Sequence, residues 1–487
     1  MRLFADVRTG EGLTAVLLAT NVFLILGAYY MIRPMRDGIV NAEYGPELKI
    51  YLQVVIVAVL AMLVPAYGKL ADRFPRRRLI NLVSWIISAL LVVFAAAGAV
   101  GMRIGIPFFI YGSIFNVMVV AQFWSFANDI YKREEGERLF PVIAVGASLG
   151  AAVGATFVEG LIEPFGLYVP MVIAAVVLLA ALLITNYVDT RERRTREAGL
   201  PDVKTTATLA ATGAFQAPKT IEELEELAER ERQLYEARER GEAIEDYEQA
   251  GSGMSAFQLV WRTRYLLLIG LLVLFLNWVN TVGGYIFDAV LADAATAAVE
   301  AGTAGGLDRG EWLGKQYASF YSVMTFVGLL IQLFITSRVV KYLGVRWGLL
   351  LLPLFSLGAY SVIALIPSLA VVRWAKTVEN ATDYSLYNTL RAMLFLPTTR
   401  EQKYKAKQVT DSFSQRAGDV LSAGIVFVGT MLGLSLLGFA IVNIVLVLGW
   451  LYVAFAIGRE YDSLVASGKP PQPRQVRLAP TEVGVIR

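Results

Sequence analysis

Runs of uncharged, mostly apolar residues, each near 20 long, recur along this chain. A helix needs about 20 such residues to cross a hydrocarbon core of roughly 30 Å. In the first part of the chain they cover 12–32, 50–68, 79–102, 104–128, 139–158 and 164–188. After a polar gap they cover 265–287, 316–337 and 347–372. Pro367 ends one span inside the last of these and starts another, which continues through several charges to about Pro397. The run 420–458 is too long for one helix and breaks at the glycine-rich stretch 433–438. The pattern predicts an all-α membrane protein of twelve spans, six before residue 190 and six after 260.

The stretches between spans carry the next information. Basic residues set orientation by collecting on the cytoplasmic side. Lys69, Arg73, Arg76, Arg77 and Arg78 follow span 2, and Lys132, Arg133 and Arg138 follow span 4. Arg338, Lys341 and Arg346 follow span 8, and Arg400, Lys403, Lys405 and Lys407 follow span 10. The connections after spans 3, 5, 9 and 11 hold almost no Lys or Arg, so both termini and the 190–260 linker are expected in the cytoplasm. The first dozen residues show no small-residue cleavage site, and span 1 is expected to be retained. The expected organisation is an N-terminal six-helix bundle over 1–189, a charged cytoplasmic linker over 190–260, a C-terminal bundle over 261–458 and a flexible tail over 459–487. Within the linker, 219–250 is rich in Glu and Arg and reads as helical, with a thin apolar stripe of Ile221, Leu224 and Ala228. A solvated tether is preferred to a regulatory domain.

Composition narrows the chemistry. Only 17% of residues are charged, against about a quarter in soluble proteins, which excludes most soluble folds. Forty-four basic and 41 acidic residues give a net charge of +3, too balanced for a nucleic-acid partner. There is no cysteine, hence no disulfide or thiolate site, and no histidine, so proton chemistry falls to Asp and Glu. No Walker lysine, catalytic carboxylate pair or nucleophile elbow occurs. An enzyme, a metal and a cofactor are not expected, nor an obligate protein partner.

The loop after span 2 reads Gly68-Lys-Leu-Ala-Asp72-Arg73-Phe-Pro-Arg76-Arg77-Arg78. It resembles the loop between helices 2 and 3 of the major facilitator superfamily, a glycine, an acid and a basic cluster. Asp72 with Arg73, Arg76 and Arg77 can latch one side of a carrier. The matching loop of the second half holds Arg338, Lys341, Gly344 and Arg346 but no acid. An offset near 270 residues maps one loop on the other, which fits two equivalent bundles rocking about a midplane site.

Charges inside the apolar zone are the candidate site, because each costs about 2.5–3.5 kcal/mol to insert at the bilayer centre. Span 10 holds Lys376, Glu379, Asp383, Tyr387 and Arg391 at steps of three, four, four and four. In an α-helix these share one face about 22 Å long. A cavity lining is preferred to a self-satisfied polar ladder. Span 1 ends in Tyr29, Arg33, Arg36 and Asp37; its arginines can fork a phosphate or carboxylate, or snorkel to headgroups. The two readings stand level. Asp37, Glu379, Asp383 and Asp419 are the acids available for coupling. Arg416 and Asp419, three apart, are expected to satisfy one another, and Asp129 and Asp288 to cap or pair at span ends. Gly146, Gly150 and Gly154 read as close helix packing.

Several segments carry a finer resemblance: Phe123-Trp-Ser-Phe-Ala-Asn128-Asp, Arg138-Leu-Phe-Pro through Gly150, Glu379-Asn-Ala-Thr-Asp383-Tyr384-Ser385 to Arg391, Leu396-Pro-Thr-Thr-Arg400, and Arg416-Ala-Gly418-Asp419. They are similar to the nucleotide transporter (ATP/ADP translocase) family, especially its bacterial branch, over about 13–190 and 260–458. The resemblance implies twelve helices related to the major facilitator fold and an anionic nucleotide as the transported partner. It implies basic substrate contacts late in helix 1 and in helix 10, which fall here on Arg36 and Arg391, arginine where that family has lysine. Its acids in helices 4 and 7 fall at Gly112 or its neighbours and at Asn280, so both are missing. The chain is thus expected to favour an anion without strict ATP/ADP exchange. The alternatives are a proton-coupled carrier using Glu379 or Asp383, and a non-transporting scaffold acting through the 190–260 insert, which deletion of 205–250 would separate from a carrier.

Overall fold

The structure is a computed structural model that describes residues 11–131, 133–199 and 254–473. The expected helix over 219–250 and the tail from 474 lie outside the described residues. Among those described there is no strand. A helix satisfies its backbone polar groups internally, which the hydrocarbon core demands of a spanning segment.

Helix α1 (Glu11–Arg73) holds two spans, broken at Gly45, whose φ of 83° is a conformation other residues resist. The first half continues with α2 (Arg76–Ala99), α3 (Gly105–Ile130), α4 (Arg133–Phe165) and α5 (Val169–Gly199). A short α6 (Ala256–Arg262) precedes α7 (Arg264–Glu300) and α8 (Arg309–Leu330). A π-helical turn, Ile331–Ile335, joins α8 to α9 (Thr336–Tyr342), followed by α10 (Gly344–Leu365). The tenth span is α11 (Leu369–Thr382), a π turn at Asp383–Tyr387 and α12 (Asn388–Met393). The eleventh is α13 (Arg400–Gln408), a π turn at Val409–Ser414 and α14 (Gln415–Met431). The last, α15 (Leu436–Ser467), carries regular helix beyond 459, where the tail was expected to begin.

Among the described residues nine helices are long and apolar enough to cross a membrane, and α1 counts as two spans. The remaining two of the twelve are the tenth and eleventh, which the π turns interrupt.

Contacts divide the chain into two units. The first takes the residues to Gly45, the described part of 55–249, and Ala295–Thr325. The second takes Pro46–Val54, the described part of 250–294, and 326 onward. Equivalent helices pack alike inside each. In the first, α2 lies along α5; in the second, α10 lies along α15. In the first, Gly146, Gly150 and Gly154 of α4 press on the backbone of Ala19, Phe23 and Gly27 in α1, as the small-residue spacing predicts. In the second, Gly418 of α14 presses on α7, where an added Cβ would lie 2.9 Å from the Leu274 carbonyl oxygen. Each unit also pairs the start of one of these helices with the end of its neighbour. Arg77 reaches Asp189 at 3.8 Å and Arg346 reaches Asp462 at 3.4 Å.

Candidate functional site

In the first unit, the charged end of span 1 is a hydrogen-bonded cluster. Arg36 sits against α3, with its guanidinium 4.6 Å from the Phe109 ring centroid and Nη1 donating to Ser113 Oγ at 3.2 Å. Gly112 makes the room: a Cβ there would lie 2.6 Å from Arg36 Cδ. Arg36 Nε and Nη2 both donate to Asp37 Oδ1, at 3.0 and 2.9 Å. Asp37 Oδ2 accepts from the hydroxyl of Tyr321 on α8 at 2.6 Å. Arg36 is 8% exposed and Asp37 1%. Neither the phosphate fork nor the snorkel expected of Arg36 is what the geometry shows; a neighbouring carboxylate occupies it inside the protein. Arg33 is only partly buried, with its guanidinium 4.4 Å from the Tyr321 ring centroid and 5.6 Å from that of Tyr30. Tyr29 stacks on Phe115 at 5.8 Å.

In the second unit, Lys376 and Glu379 form a closed network. Lys376 Nζ donates to Glu379 Oε2 at 2.6 Å, and to Asn280 Oδ1 at 2.6 Å and its backbone oxygen at 3.1 Å. Glu379 also accepts from Ser356 Oγ at 3.1 Å and Tyr360 Oη at 2.9 Å. An added Cβ at Gly283 would collide with the Tyr360 hydroxyl, so the glycine admits it. The two charged side chains are 3% and 5% exposed. The cavity lining expected of these two residues is replaced here by the self-satisfied ladder. Tyr387 is also packed inside, accepting from Trp450 Nε1 at 3.0 Å.

The single stripe expected along span 10 is interrupted. The π turn Asp383–Tyr387 inserts extra backbone between the two ends, so they no longer share one α-helical face. Past Glu379, Asp383 and Arg391 keep partial exposure. Among the described residues the Asp383 carboxylate makes no hydrogen bond or ion pair; Arg391, Glu379 and Lys376 act on it only through space. Arg391 donates to Asn388 Oδ1 at 3.2 Å and meets no carboxylate within ion-pair distance among the described residues. Asp419 is satisfied by Thr281 Oγ1 at 3.0 Å and Arg416 at 3.4 Å, the partner its spacing predicts.

The residues assigned to gating are distributed over helix ends. The Asp72 side chain lies outside the described residues, and Arg73 is exposed. Arg76 pairs with Asp129, while Arg77 pairs with Asp189 and reaches Asn186 at 3.3 Å. Arg338 donates to the Phe334 carbonyl, and Lys341 lies 5.4 Å from the Tyr342 ring centroid. Sequence reasoning missed Tyr321, Ser356 and Tyr360. Their signal was there, hydroxyls at four-residue steps within apolar helices, but nothing local named their partners.

A family model of the Major Facilitator Superfamily matches residues 18–378. The chain belongs to the major facilitator superfamily. It is therefore an integral membrane transporter of small-molecule substrates. Solved structures share the fold at low identity. The peptide transporter POT in complex with sulfate is 15% identical, with a TM-score of 0.58 over 94% of this chain and 98% of that one. A bacterial homologue of the human lysosomal transporter Spinster, inward-facing and unoccupied, is 14% identical, with a TM-score of 0.55 over 94% and 99%. The nucleoside transporter NupG is 11% identical, with a TM-score of 0.51 over 94% and 99%. No curated protein sequence matches the chain.

Proposed function

We propose that this carrier moves an anionic, phosphorylated metabolite such as a nucleotide by alternating access, as a member of the bacterial branch of the nucleotide transporters. It resides in the bacterial inner membrane with both termini cytoplasmic, and residues 190–260 tether its two halves. One observation carries the reading: Arg391, late in the tenth span, is a cation with no carboxylate within ion-pair distance among the described residues. Intramembrane charges are retained when they pair or bind solute. The other span 10 cation, Lys376, is already neutralised by Glu379. Within the first unit Arg33 is a partly exposed guanidinium, while Arg36 is held by Asp37. A guanidinium suits a phosphate because its planar fork donates in pairs.

Uptake of labelled ATP into proteoliposomes tests this. Losing a hydrogen bond to a charged group costs about 1.5–3 kcal/mol, so Arg391→Ala should lower uptake efficiency roughly 10- to 100-fold. Arg391→Lys should keep part of it. Undiminished uptake by Arg391→Ala would remove this residue from the site.

A proton-coupled carrier is the second reading, and Asp383 favours it. Of the four acids considered for coupling, the carboxylates of Asp37, Glu379 and Asp419 are hydrogen-bonded and that of Asp383 is not, among the described residues. Under this reading an imposed pH gradient drives uptake in the wild type but not in Asp383→Asn. Equal uptake with and without the gradient in the wild type would exclude it.

A further inference from the structure

We infer that Tyr321 is a positioning residue for the anion: it presents Arg33 to the solute, and Arg36 and Asp37 serve to orient Tyr321. The inference rests on the anionic substrate proposed above. It places a contact on α8, within the first unit, which no motif marked.

Four side chains form a line of contacts. Arg36 gives two N–H donors to one oxygen of Asp37. The other oxygen accepts the Tyr321 hydroxyl at 2.6 Å, which fixes the tyrosine's rotation. The ring of Tyr321 then lies under the guanidinium of Arg33, 4.4 Å from its centroid, with the ring of Tyr30 edge-on to it at 6.2 Å. A guanidinium carried on an aromatic face directs its N–H groups in its own plane; Arg33 Nη1 donates there to the Tyr30 hydroxyl at 3.4 Å, and an anion would accept in the same plane. Only Arg33 in this line is partly exposed; Arg36, Asp37 and Tyr321 are buried. An incoming anion therefore meets Arg33, and the buried members behind it decide how Arg33 is held.

The backbone around Tyr321 is built to keep it there. One turn away Asn41 Nδ2 donates to the Tyr317 hydroxyl at 2.9 Å. Beside these contacts Gly38 meets Gly314 so closely that an added Cβ would lie 2.7 Å from the Gly314 nitrogen. Arg309 caps the contact by donating to the Ala42 carbonyl at 2.9 Å. These contacts run antiparallel along α1 and α8, so Tyr321 is held from helix and hydroxyl alike.

A double-mutant cycle tests the assignment, read both on ATP uptake and on pyrophosphate binding by the purified protein. Removing the ring with Tyr321→Leu should raise KM for ATP at least about tenfold with little change in maximal rate, since it alters ground-state binding. Tyr321→Phe keeps the ring and loses the hydroxyl, so its KM should rise by about threefold. The decisive result is non-additivity: Arg33→Ala with Tyr321→Leu should be no worse than Arg33→Ala alone, because both act through one guanidinium. A purely structural role for Tyr321 gives additive losses instead, and additivity overturns the inference. Should Tyr321→Leu not fold, the cycle is run with Tyr321→Phe, and an unchanged KM there overturns it equally. If the wild type binds pyrophosphate but takes up no ATP, the nucleotide reading fails while the cycle in pyrophosphate binding still decides on Tyr321. No pyrophosphate binding by the wild type overturns both.

Discussion

Truncating Glu379 to alanine should destabilise the protein by about 3–5 kcal/mol, the usual cost of leaving one member of a buried ion pair without its partner. Lys376 would keep only the two oxygens of Asn280, and the hydroxyls of Ser356 and Tyr360 would lose their acceptor. At 3% exposure the ammonium has no water to turn to. Thermal or denaturant unfolding in detergent measures the loss. The companion variant Lys376→Met with Glu379→Leu should recover most of it, because replacing both charges with apolar groups is often neutral. If Glu379→Ala unfolds like the wild type, the pair is not the closed network described. If the double variant is as unstable as the single one, the network does more than neutralise charge.

The second large effect lies on the glycine face of α4. Gly150→Leu should cost at least about 3 kcal/mol, the upper end of overpacking penalties, because the new Cβ collides with backbone and not with a movable side chain. Its neighbour is the Phe23 carbonyl on α1, and the flanking glycines 146 and 154 meet α1 in the same way. The two helices would have to separate along their length. Gly160→Leu on the same helix is the control, since nothing lies within 4 Å of its added Cβ. A large drop in folded yield and unfolding temperature for Gly150→Leu, with Gly160→Leu near wild type, is the expected outcome. Equal behaviour of the two would remove α4 from close packing on α1.

Some of the site could be read from the chain alone, and particular residues show where reading stopped. Lys376 and Glu379 are three apart, a spacing that places them side by side on a helix, and they are indeed bonded. Arg416 and Asp419 follow the same rule. Arg36 and Asp37 are adjacent, and adjacent helical residues do not face each other, so no spacing argument pairs them. They meet because the long arginine side chain folds back under Gly112. Tyr321 is 284 positions from Asp37, and no local pattern spans that distance. The π turn at Asp383–Tyr387 was equally hidden, since counting by threes and fours assumes an unbroken α-helix.

The helical class, the number of spans and the set of intramembrane charges followed from the chain itself, because a bilayer makes one demand that apolar runs either meet or fail. Which of those charges neutralise each other was settled by the tertiary structure. The carboxylates lie on the same helices as their cations, but the hydroxyls of Tyr321, Ser356, Tyr360 and Thr281 and the oxygens of Asn280 come from other helices, and burial makes an unmet polar group costly. Arg391 stands out as a candidate only after Lys376 has been seen to hold its carboxylate, and Arg33 by its partial exposure beside the buried Arg36.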